Sequence, residues 1–93
     1  MIDFIDNIDS ETCAVYLLIA SAQVVLLQNL IESYEGAGTV RTLDAESGLV
    51  AILTTPSMLA ECSQILESIR AIIPWQAVPR PAQAVTQIIE GGW

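Results

Sequence analysis

Two segments of this chain are apolar at alternate positions and also at the positions between them. Cys13 to Ala20 reads CAVYLLIA, and Leu49 to Thr54 reads LVAILT. Each has the length and the β-forming residues of a strand rather than a helix. A strand that is apolar on both faces is normally packed against other parts of the protein on each face. The two segments therefore predict a sheet whose central strands are buried on both faces.

The residues after the first strand predict a helix from Ser21 to about Tyr34. Ser21 is a typical N-cap residue, and a glycine at position 36 or 38 supplies the positive φ that ends many helices. The predicted apolar arc of this helix contains Val24, Leu26, Leu27, Leu30, Ile31 and Tyr34. Val25 falls in the polar arc. It is either an ordinary exposed valine or a contact residue for a partner.

A second helix is predicted from Met58 to Ile73, with Thr55 as its cap, Pro56 in its first turn and Pro74 as its stop. Its predicted buried arc contains Met58, Leu59, Cys62, Ile65, Leu66, Ile69, Ile72 and Ile73.

Two shorter strands and one more helix complete the prediction. Thr39 to Leu43 is a less apolar strand, and Trp75 to Val78 is a short edge strand between prolines. A short helix is expected from Ala82 to Glu90. We expect residues 1–12 to form a solvated acidic arm, residues 13–79 the folded domain and residues 80–93 a tail helix.

This order of elements predicts an α+β protein of the ferredoxin-like βαββαβ type. In that arrangement two helices pack on one face of an antiparallel sheet, here with an additional C-terminal helix. The other face would be bare, although the central strands are apolar on both sides. We expect the tail helix, the N-terminal arm or another copy of the protein to cover it, and we favour a homodimer to which the tail contributes.

Composition excludes several classes of function. The chain has eleven acidic residues against Arg41, Arg70 and Arg80, with no lysine or histidine, and its net charge is −8. Binding to nucleic acid or to an anionic membrane surface needs basic residues, so neither partner is expected. The segment Cys13 to Ala22 is too short to span a bilayer.

The reactive residue types also argue against catalysis and metal binding. Without histidine the chain lacks the most common general base and metal ligand. Cys13 and Cys62 stand too far apart for a paired-cysteine metal motif, and both fall at apolar positions. We expect two buried thiols in a reducing, cytoplasmic compartment, no metal, no cofactor and no enzymatic activity.

Candidate binding residues cluster where the first helix ends and the next strand begins. They are Glu32, Tyr34, Glu35, Arg41, Thr42 and Asp44. The alternative is that they serve local structure, with Tyr34 packed on the sheet and Arg41 balancing carboxylates. Trp75 and Trp93 join Val25 as candidate interface residues, because tryptophan is enriched in binding hot spots. Trp75 is equally compatible with the core.

The segment from Gln28 to Pro56 resembles a family of short bacterial proteins known only as a domain of unknown function. The resemblance rests on a Glu-x-Tyr-acidic-Gly pattern, a strand with Thr and Asp, and an apolar strand followed by Pro. The matching residues are Glu32, Tyr34, Glu35, Gly36, Thr42, Asp44, Gly48 to Leu53 and Pro56. The resemblance implies no activity.

The order of elements is also similar to two characterised groups. ACT-type regulatory domains would imply a dimer that binds an amino acid at its interface. The small chaperones of periplasmic nitrate reductases would imply binding of a basic, apolar signal peptide. From the residues themselves we expect a non-catalytic protein-interaction or regulatory module. An amino-acid sensor and a peptide-binding chaperone are the alternatives.

Overall fold

The computed structural model describes residues 2, 4–34 and 36–84 of the 93-residue chain. Its elements are β1 (Asp6–Asn7), β2 (Cys13–Leu18), a 3-10 turn (Ser21–Gln23), α1 (Val24–Glu32), β3 (Thr39–Asp44), β4 (Leu49–Thr54), α2 (Leu59–Ile69), β5 (Gln76–Val78) and α3 (Ala82–Ala84). The predicted α+β class with an antiparallel sheet is confirmed. The predictions for Glu35, for Trp93 and for the tail helix beyond Ala84 lie outside the described residues.

The sheet is built around β2, the first of the doubly apolar segments. One edge of β2 pairs along its whole length with β4, which is the second of those segments. The other edge is shared by two short strands placed end to end, because β1 pairs at Cys13–Ala14 and β5 at Tyr16–Leu18. β3 pairs with β4, and its register shifts between Thr42 and Asp44. Each of these pairings is antiparallel.

The first face of the sheet carries both long helices. One cluster of buried residues combines Leu27 and Ile31 of α1 with Cys62 and Leu66 of α2, and with residues of β2, β3 and β4. The strand residues in this cluster are Val15, Leu17, Val40, Val50 and Ile52. The two helices therefore pack on the same face of the sheet.

The second face of the sheet is also buried within one chain. Its residues are Ala14, Tyr16, Leu43, Leu49, Ala51 and Leu53, and they form a cluster with Ala84 of α3. All of these residues are at most 7% exposed. Ala84 of α3, in the segment predicted as the tail helix, lies against this face, and the tail helix was one of the three covers expected for it. The sheet does not need a second copy of the protein to bury its central strands.

The buried stripe of the first helix is narrower than the sequence predicted. Ser21 begins a 3-10 turn, α1 starts at Val24, and neither has a capping side chain. Only Val24, Leu27 and Ile31 of α1 are buried, while Leu26 and Tyr34 are more than 40% exposed. A helix that packs on one sheet face buries a stripe at spacings of three and four, and residues at the edge of that stripe remain in solvent.

The second helix ends earlier than predicted. α2 stops at Ile69, and the backbone N–H groups of Ile72 and Ile73 both bond to the carbonyl of Ile69 in a tightened last turn. Ile73 turns into the core, whereas Ile72 is 60% exposed. At the other end α2 begins at Leu59, and its N-cap residue Met58 makes no side-chain capping bond. The Thr55 hydroxyl instead accepts a hydrogen bond from the Met58 N–H at 3.2 Å, in the turn that precedes the helix.

The N-terminal arm is not a solvated appendage. Ile2 is 5% exposed and belongs to the first core cluster, and Ile5 packs against the same cluster. Asp6 and Asn7 extend the sheet as β1. The acidic composition of this segment led to the prediction of a solvated arm, whereas its isoleucines hold it to the core.

Candidate functional site

The sheet separates the residues that were predicted to form a binding cluster. Glu32 and Tyr34 are exposed at the end of α1, which packs on the first face. Arg41 stands opposite Ala51 in the ladder between β3 and β4, and Ala51 belongs to the cluster on the second face. Facing residues of neighbouring strands point to the same side of a sheet. Arg41 therefore lies on the other side of the sheet from Glu32 and Tyr34.

Asp44 serves the turn between β3 and β4. Its carboxylate oxygen Oδ1 accepts hydrogen bonds from the backbone N–H groups of Glu46 and Ser47, at 3.1 and 3.5 Å. An aspartate that bonds to the backbone two or three residues ahead stabilises a tight turn. Gly48 follows with a φ of 74°, a backbone conformation that residues with a Cβ atom rarely adopt. The geometry assigns Asp44 a structural role.

A polar cluster that the sequence reasoning missed lies at the shared edge of β2. The phenol of Tyr16 donates a hydrogen bond to Oδ2 of Asp6 at 2.5 Å. Arg80 donates from Nε to the same oxygen at 2.8 Å, and from Nη2 to Oδ1 at 2.6 Å. We call Asp6, Tyr16 and Arg80 the sheet-edge triad. Its guanidinium and carboxylate meet in the two-pronged geometry that makes such pairs specific.

The strand register explains why these three residues meet. Asp6 stands opposite Ala14 on one side of β2, two residues before Tyr16 and on the same face. Val78 stands opposite Tyr16, and Arg80 comes two residues after it. Side chains two apart on a strand share a face. The one signal in the sequence was a phenol within an apolar strand, because a buried tyrosine hydroxyl needs a hydrogen-bond partner.

The electrostatics of the triad fix its charges. The hydrogen bond from Arg80 is the main reason that the pKa of Asp6 is held below its ordinary value of 3.8. Burial, followed by the neighbouring Asp6 carboxylate, raises the pKa of Tyr16 well above 10.0. The hydrogen bond to Asp6 raises the pKa of Arg80. All three shifts move away from neutral pH, so the triad is an ion pair beside a neutral phenol.

A second feature is an exposed apolar surface where α1 begins and α2 ends. Val25 is 65% exposed, Ile72 60% and Leu26 42%. The side-chain amide of Gln23 donates to the backbone carbonyl of Ile72 at 3.1 Å, which holds the two helix ends side by side. We call Val25, Leu26 and Ile72 the apolar end. Val25 was predicted as a contact candidate, whereas Leu26 and Ile72 were predicted to be buried.

Trp75 belongs to the core of the described chain. It is 7% exposed, and its indole N–H donates to the carbonyl of Leu66 at 2.8 Å. The guanidinium of Arg70 lies 4.0 Å from the centre of the indole ring and also pairs with Glu67. The core alternative left open by the sequence is the one observed, so Trp75 presents no exposed anchor to a partner.

The two cysteines are free and fully buried. Burial raises the pKa of the Cys13 thiol, and it raises that of Cys62 to about 11, with a smaller contribution from Cys13. Both thiols are therefore protonated at neutral pH and are poor nucleophiles. In the described part of the chain, no three His, Cys, Asp or Glu side chains come together in a way that could hold a metal ion.

A cavity of about 320 Å³ opens where the loop after α1 meets the end of β4. Its described lining consists of Thr12, Gly36, Gly38, Thr39, Leu53, Thr54 and Thr55. The Thr54 hydroxyl bonds to the Ala37 carbonyl at 2.8 Å and holds the loop in place. A Cβ atom at Gly38 would lie 3.0 Å from the Leu53 carbonyl oxygen, so this loop approaches β4 closely. We call this the threonine cavity.

Among the described residues, no helix is long and apolar enough to cross a membrane. A family model described as Domain of unknown function (DUF4911) matches residues 17–73. No curated protein and no solved structure matches the chain. The matched region contains the apolar end and most of the threonine cavity, whereas all three residues of the sheet-edge triad lie outside it.

Proposed function

The chain belongs to this family, whose model spans more than half of its length, and we propose that it is a non-catalytic module that binds an apolar, basic segment of a protein partner. The observation that carries the proposal is the apolar end. Three large aliphatic side chains at one end of the helix layer are 42–65% exposed. The hydrogen bond from Gln23 to the Ile72 carbonyl brings the two helix ends together, and exposed apolar groups in one region are typical of protein-binding surfaces.

The charge of the chain selects the chemistry of the partner. The net charge is −8, and the guanidinium groups of Arg70 and Arg80 pair with the carboxylates of Glu67 and Asp6. A second copy would bring the same excess of negative charge to the interface. A segment with lysine or arginine beside its apolar residues would be attracted instead. An amphipathic helix has this composition and fits a surface made by two helix ends.

The protonation states support a module without catalytic function. General acid–base chemistry works best with a pKa near the working pH. The shifted pKa values of Asp6, Tyr16, Arg80, Cys13 and Cys62 all move away from neutrality. The free, buried thiols support a reducing, cytoplasmic compartment as part of the same proposal.

We also propose that the fold is ferredoxin-like, with β1 as an addition to it. The antiparallel pairings of β5 with β2, of β2 with β4 and of β4 with β3 support this reading. In chain order without β1, the sheet then runs fourth, first, third and second strand. That is the order expected of a split βαβ arrangement.

Titration calorimetry with a designed peptide tests the binding proposal. The probe is a synthetic helix with leucine on one face and lysine on the other, and the control peptide carries glutamate in place of lysine. We expect the wild type to bind the lysine peptide and not the glutamate peptide. The double variant Val25→Ser/Ile72→Ser should raise its Kd by about tenfold or more. Tyr34→Ser is the matched control, since Tyr34 is also exposed but lies beyond the other end of α1.

Two outcomes would overturn the proposal. One is equal weakening by the double variant and by Tyr34→Ser, which would mean that the apolar end is not the contact surface. The other is equal binding of both peptides, which would mean that the acidic charge does not select the partner. Circular dichroism of each variant shows whether a change in binding reflects a change in the fold.

The threonine cavity favours a small-ligand sensor as the second candidate function. Its volume falls at the lower end of the range for ligand pockets, and its described lining offers hydroxyl groups without charge. A free amino acid that binds there should raise the thermal midpoint of the wild type. Thr39→Val should abolish the rise, while the double variant at the apolar end should keep it. No rise with any free amino acid would exclude an amino-acid sensor.

A further inference from the structure

Ser63 carries a buried hydroxyl without a hydrogen-bond partner. The residue lies in the middle of α2 and is 5% exposed. Within the described part of the chain, its Oγ is the one buried side-chain nitrogen or oxygen that makes no hydrogen bond. Ser33 and Ser68 differ, because each donates to the backbone carbonyl three residues earlier at 2.7 Å. Helical serines commonly bond to their own helix in this way. The Ser63 hydroxyl does not.

A cavity of about 360 Å³ lies on the same side of α2 as this hydroxyl. Its described lining consists of Ala60, Ser63, Gln64 and Glu67. Residues at spacings of three and four lie on one face of a helix. Ser63 is buried and the other three are exposed, so the hydroxyl lies at the base of the cavity and the others form its rim. We call this the α2 cavity.

A smaller cavity of about 200 Å³ adjoins the first, since Glu67 lines both. Ile2 and Phe4 of the N-terminal arm and the indole of Trp75 contribute to its lining. The Glu67 carboxylate pairs with Arg70 at 3.2 Å, so the shared wall carries an ion pair rather than a single charge. A groove therefore follows α2, with a buried hydroxyl towards one end and aromatic side chains towards the other.

The lining of the α2 cavity selects the chemistry of a ligand. A serine hydroxyl can donate one hydrogen bond and accept others. Around it, the described lining supplies the methyl group of Ala60 and the hydrocarbon stems of Gln64 and Glu67. An anion would be repelled by the net charge of −8, and a cation would find Glu67 already paired. These properties favour an uncharged ligand with an apolar body and one hydroxyl or carbonyl oxygen.

We propose that the α2 cavity binds a small uncharged alcohol or ketone. The oxygen of the ligand forms a hydrogen bond with Ser63, and its apolar body lies along α2 towards Phe4. The ligand thus supplies the partner that the described chain does not give to this hydroxyl. Ligand pockets of this volume typically combine an apolar lining with a few polar groups that fix orientation. The described lining residues belong neither to the apolar end nor to the threonine cavity.

Benzyl alcohol and toluene are suitable probes, because they differ only by a hydroxyl group. In an NMR titration of the full chain, benzyl alcohol should shift the amide signals of α2 from Ala60 to Glu67. Ser63→Ala should raise the Kd of benzyl alcohol by about threefold to tenfold, as expected for one lost hydrogen bond, and leave that of toluene unchanged. The double variant Val25→Ser/Ile72→Ser should bind both probes like the wild type, which separates this site from the proposed partner surface.

The thermal midpoint without a probe gives a second measurement. Ser63→Ala removes a hydroxyl that is unsatisfied in the folded chain, so the midpoint should rise by about 4–8 °C. Ser68→Ala is the matched control. It has the same gain in helix propensity but removes a hydroxyl that already bonds to Ile65. Its midpoint should rise less, and its Kd for benzyl alcohol should equal that of the wild type.

Three results would overturn the proposal. Equal Kd values of benzyl alcohol for the wild type and Ser63→Ala would mean that the hydroxyl bonds only to water. A lower midpoint for Ser63→Ala than for Ser68→Ala would mean that the Ser63 hydroxyl stabilises the fold. A wild type that does not bind benzyl alcohol would exclude the α2 cavity as a site for this class of ligand.

Discussion

Asp6 and Arg80 are 74 positions apart in the chain, and their side chains are joined by two hydrogen bonds of 2.8 and 2.6 Å. The pair fastens the segment before β2 to the segment after β5. Both short strands lie on the same edge of β2, so the ion pair closes that edge. Tyr16 beneath it donates to the same carboxylate and ties the pair to the central strand.

Replacement of Asp6 by Asn should lower the free energy of unfolding at pH 7 by about 1–2 kcal/mol, because charge-assisted hydrogen bonds to a partly exposed arginine are removed. The folded-state pKa of Asp6 lies below its ordinary value of 3.8. Its stabilisation is therefore complete above about pH 5 and disappears as the pH falls through the folded pKa. Urea unfolding of wild type and variant from pH 7 to pH 3 should show the difference shrinking. A difference that stays constant across this range would contradict the assignment.

Glu46→Gln is the control for that series. Glu46 is an exposed turn residue whose backbone, not its side chain, makes the hydrogen bond to Asp44. This variant should change the free energy of unfolding by less than about 0.5 kcal/mol at pH 7.

Replacement of Tyr16 by Phe should destabilise the chain by about 1.5 kcal/mol at pH 7, because one hydrogen bond to a carboxylate is removed. The folded-state pKa of Tyr16 is raised above its ordinary value of 10.0. The stabilisation that the phenol contributes is therefore fully present below about pH 10 and is lost as the pH rises towards the folded-state pKa. Ultraviolet titration of a Tyr34→Phe background isolates the Tyr16 phenol. A midpoint near 10.0 without unfolding would show that the phenol is not held as described.

Two glycines with nearly the same φ should respond differently to alanine. Gly36 and Gly48 have φ values of 78° and 74°. A Cβ at Gly36 meets only the flexible end of Met58 at 4.0 Å, so Gly36→Ala should cost about 1–2 kcal/mol for the left-handed backbone alone. A Cβ at Gly48 would overlap the carbonyl oxygen of Ile19. Gly48→Ala should therefore cost more than about 4 kcal/mol, and equal thermal midpoints for the two variants would refute this difference.

Trp75 should act as a cap for the carboxyl end of α2. Its indole N–H bonds to the carbonyl of Leu66, one of the last four helix carbonyls that lack the usual partner. Trp75→Phe should therefore destabilise the chain by about 2–3 kcal/mol, through the orphaned carbonyl and a smaller core side chain. Hydrogen exchange should quicken most in the last turn of α2. Arg70→Ala removes the cation over the ring, a hydrogen bond to the Trp75 carbonyl at 3.3 Å and the pairing with Glu67. It should have the smaller effect, because the Arg70 side chain is half exposed.

The strands were the part of this fold that the sequence could predict best. Leu49–Thr54 was predicted with the bounds that the structure shows, because an apolar run of that length between turn residues has few other solutions. The helices were predicted in place but with too wide a buried arc. Periodicity marks the centre of the buried stripe, whereas exposure of Leu26 and Ile72 depends on how far a neighbouring element reaches.

The residues of the predicted binding cluster are divided between the two faces of the sheet for a different reason. Glu32 and Arg41 are close in the chain, but the strand that carries Arg41 turns it to the opposite face from α1. The sheet-edge triad is the converse case, because its members are distant in the chain and meet only through strand register. Neither composition nor periodicity encodes such a meeting. A tyrosine inside an apolar strand shows that a partner is needed and does not show which one.

The register shift between Thr42 and Asp44 affects how this chain behaves at high concentration. Within the described sheet β3 pairs with β4 alone, so it forms an outer strand. A regular outer strand in so apolar a chain would be a template on which further chains could stack as a fibril. An irregularity in the ladder bends and twists the strand that carries it. The register shift thus works against fibril growth from β3, together with the charged side chains of Arg41 and Asp44 on the same strand.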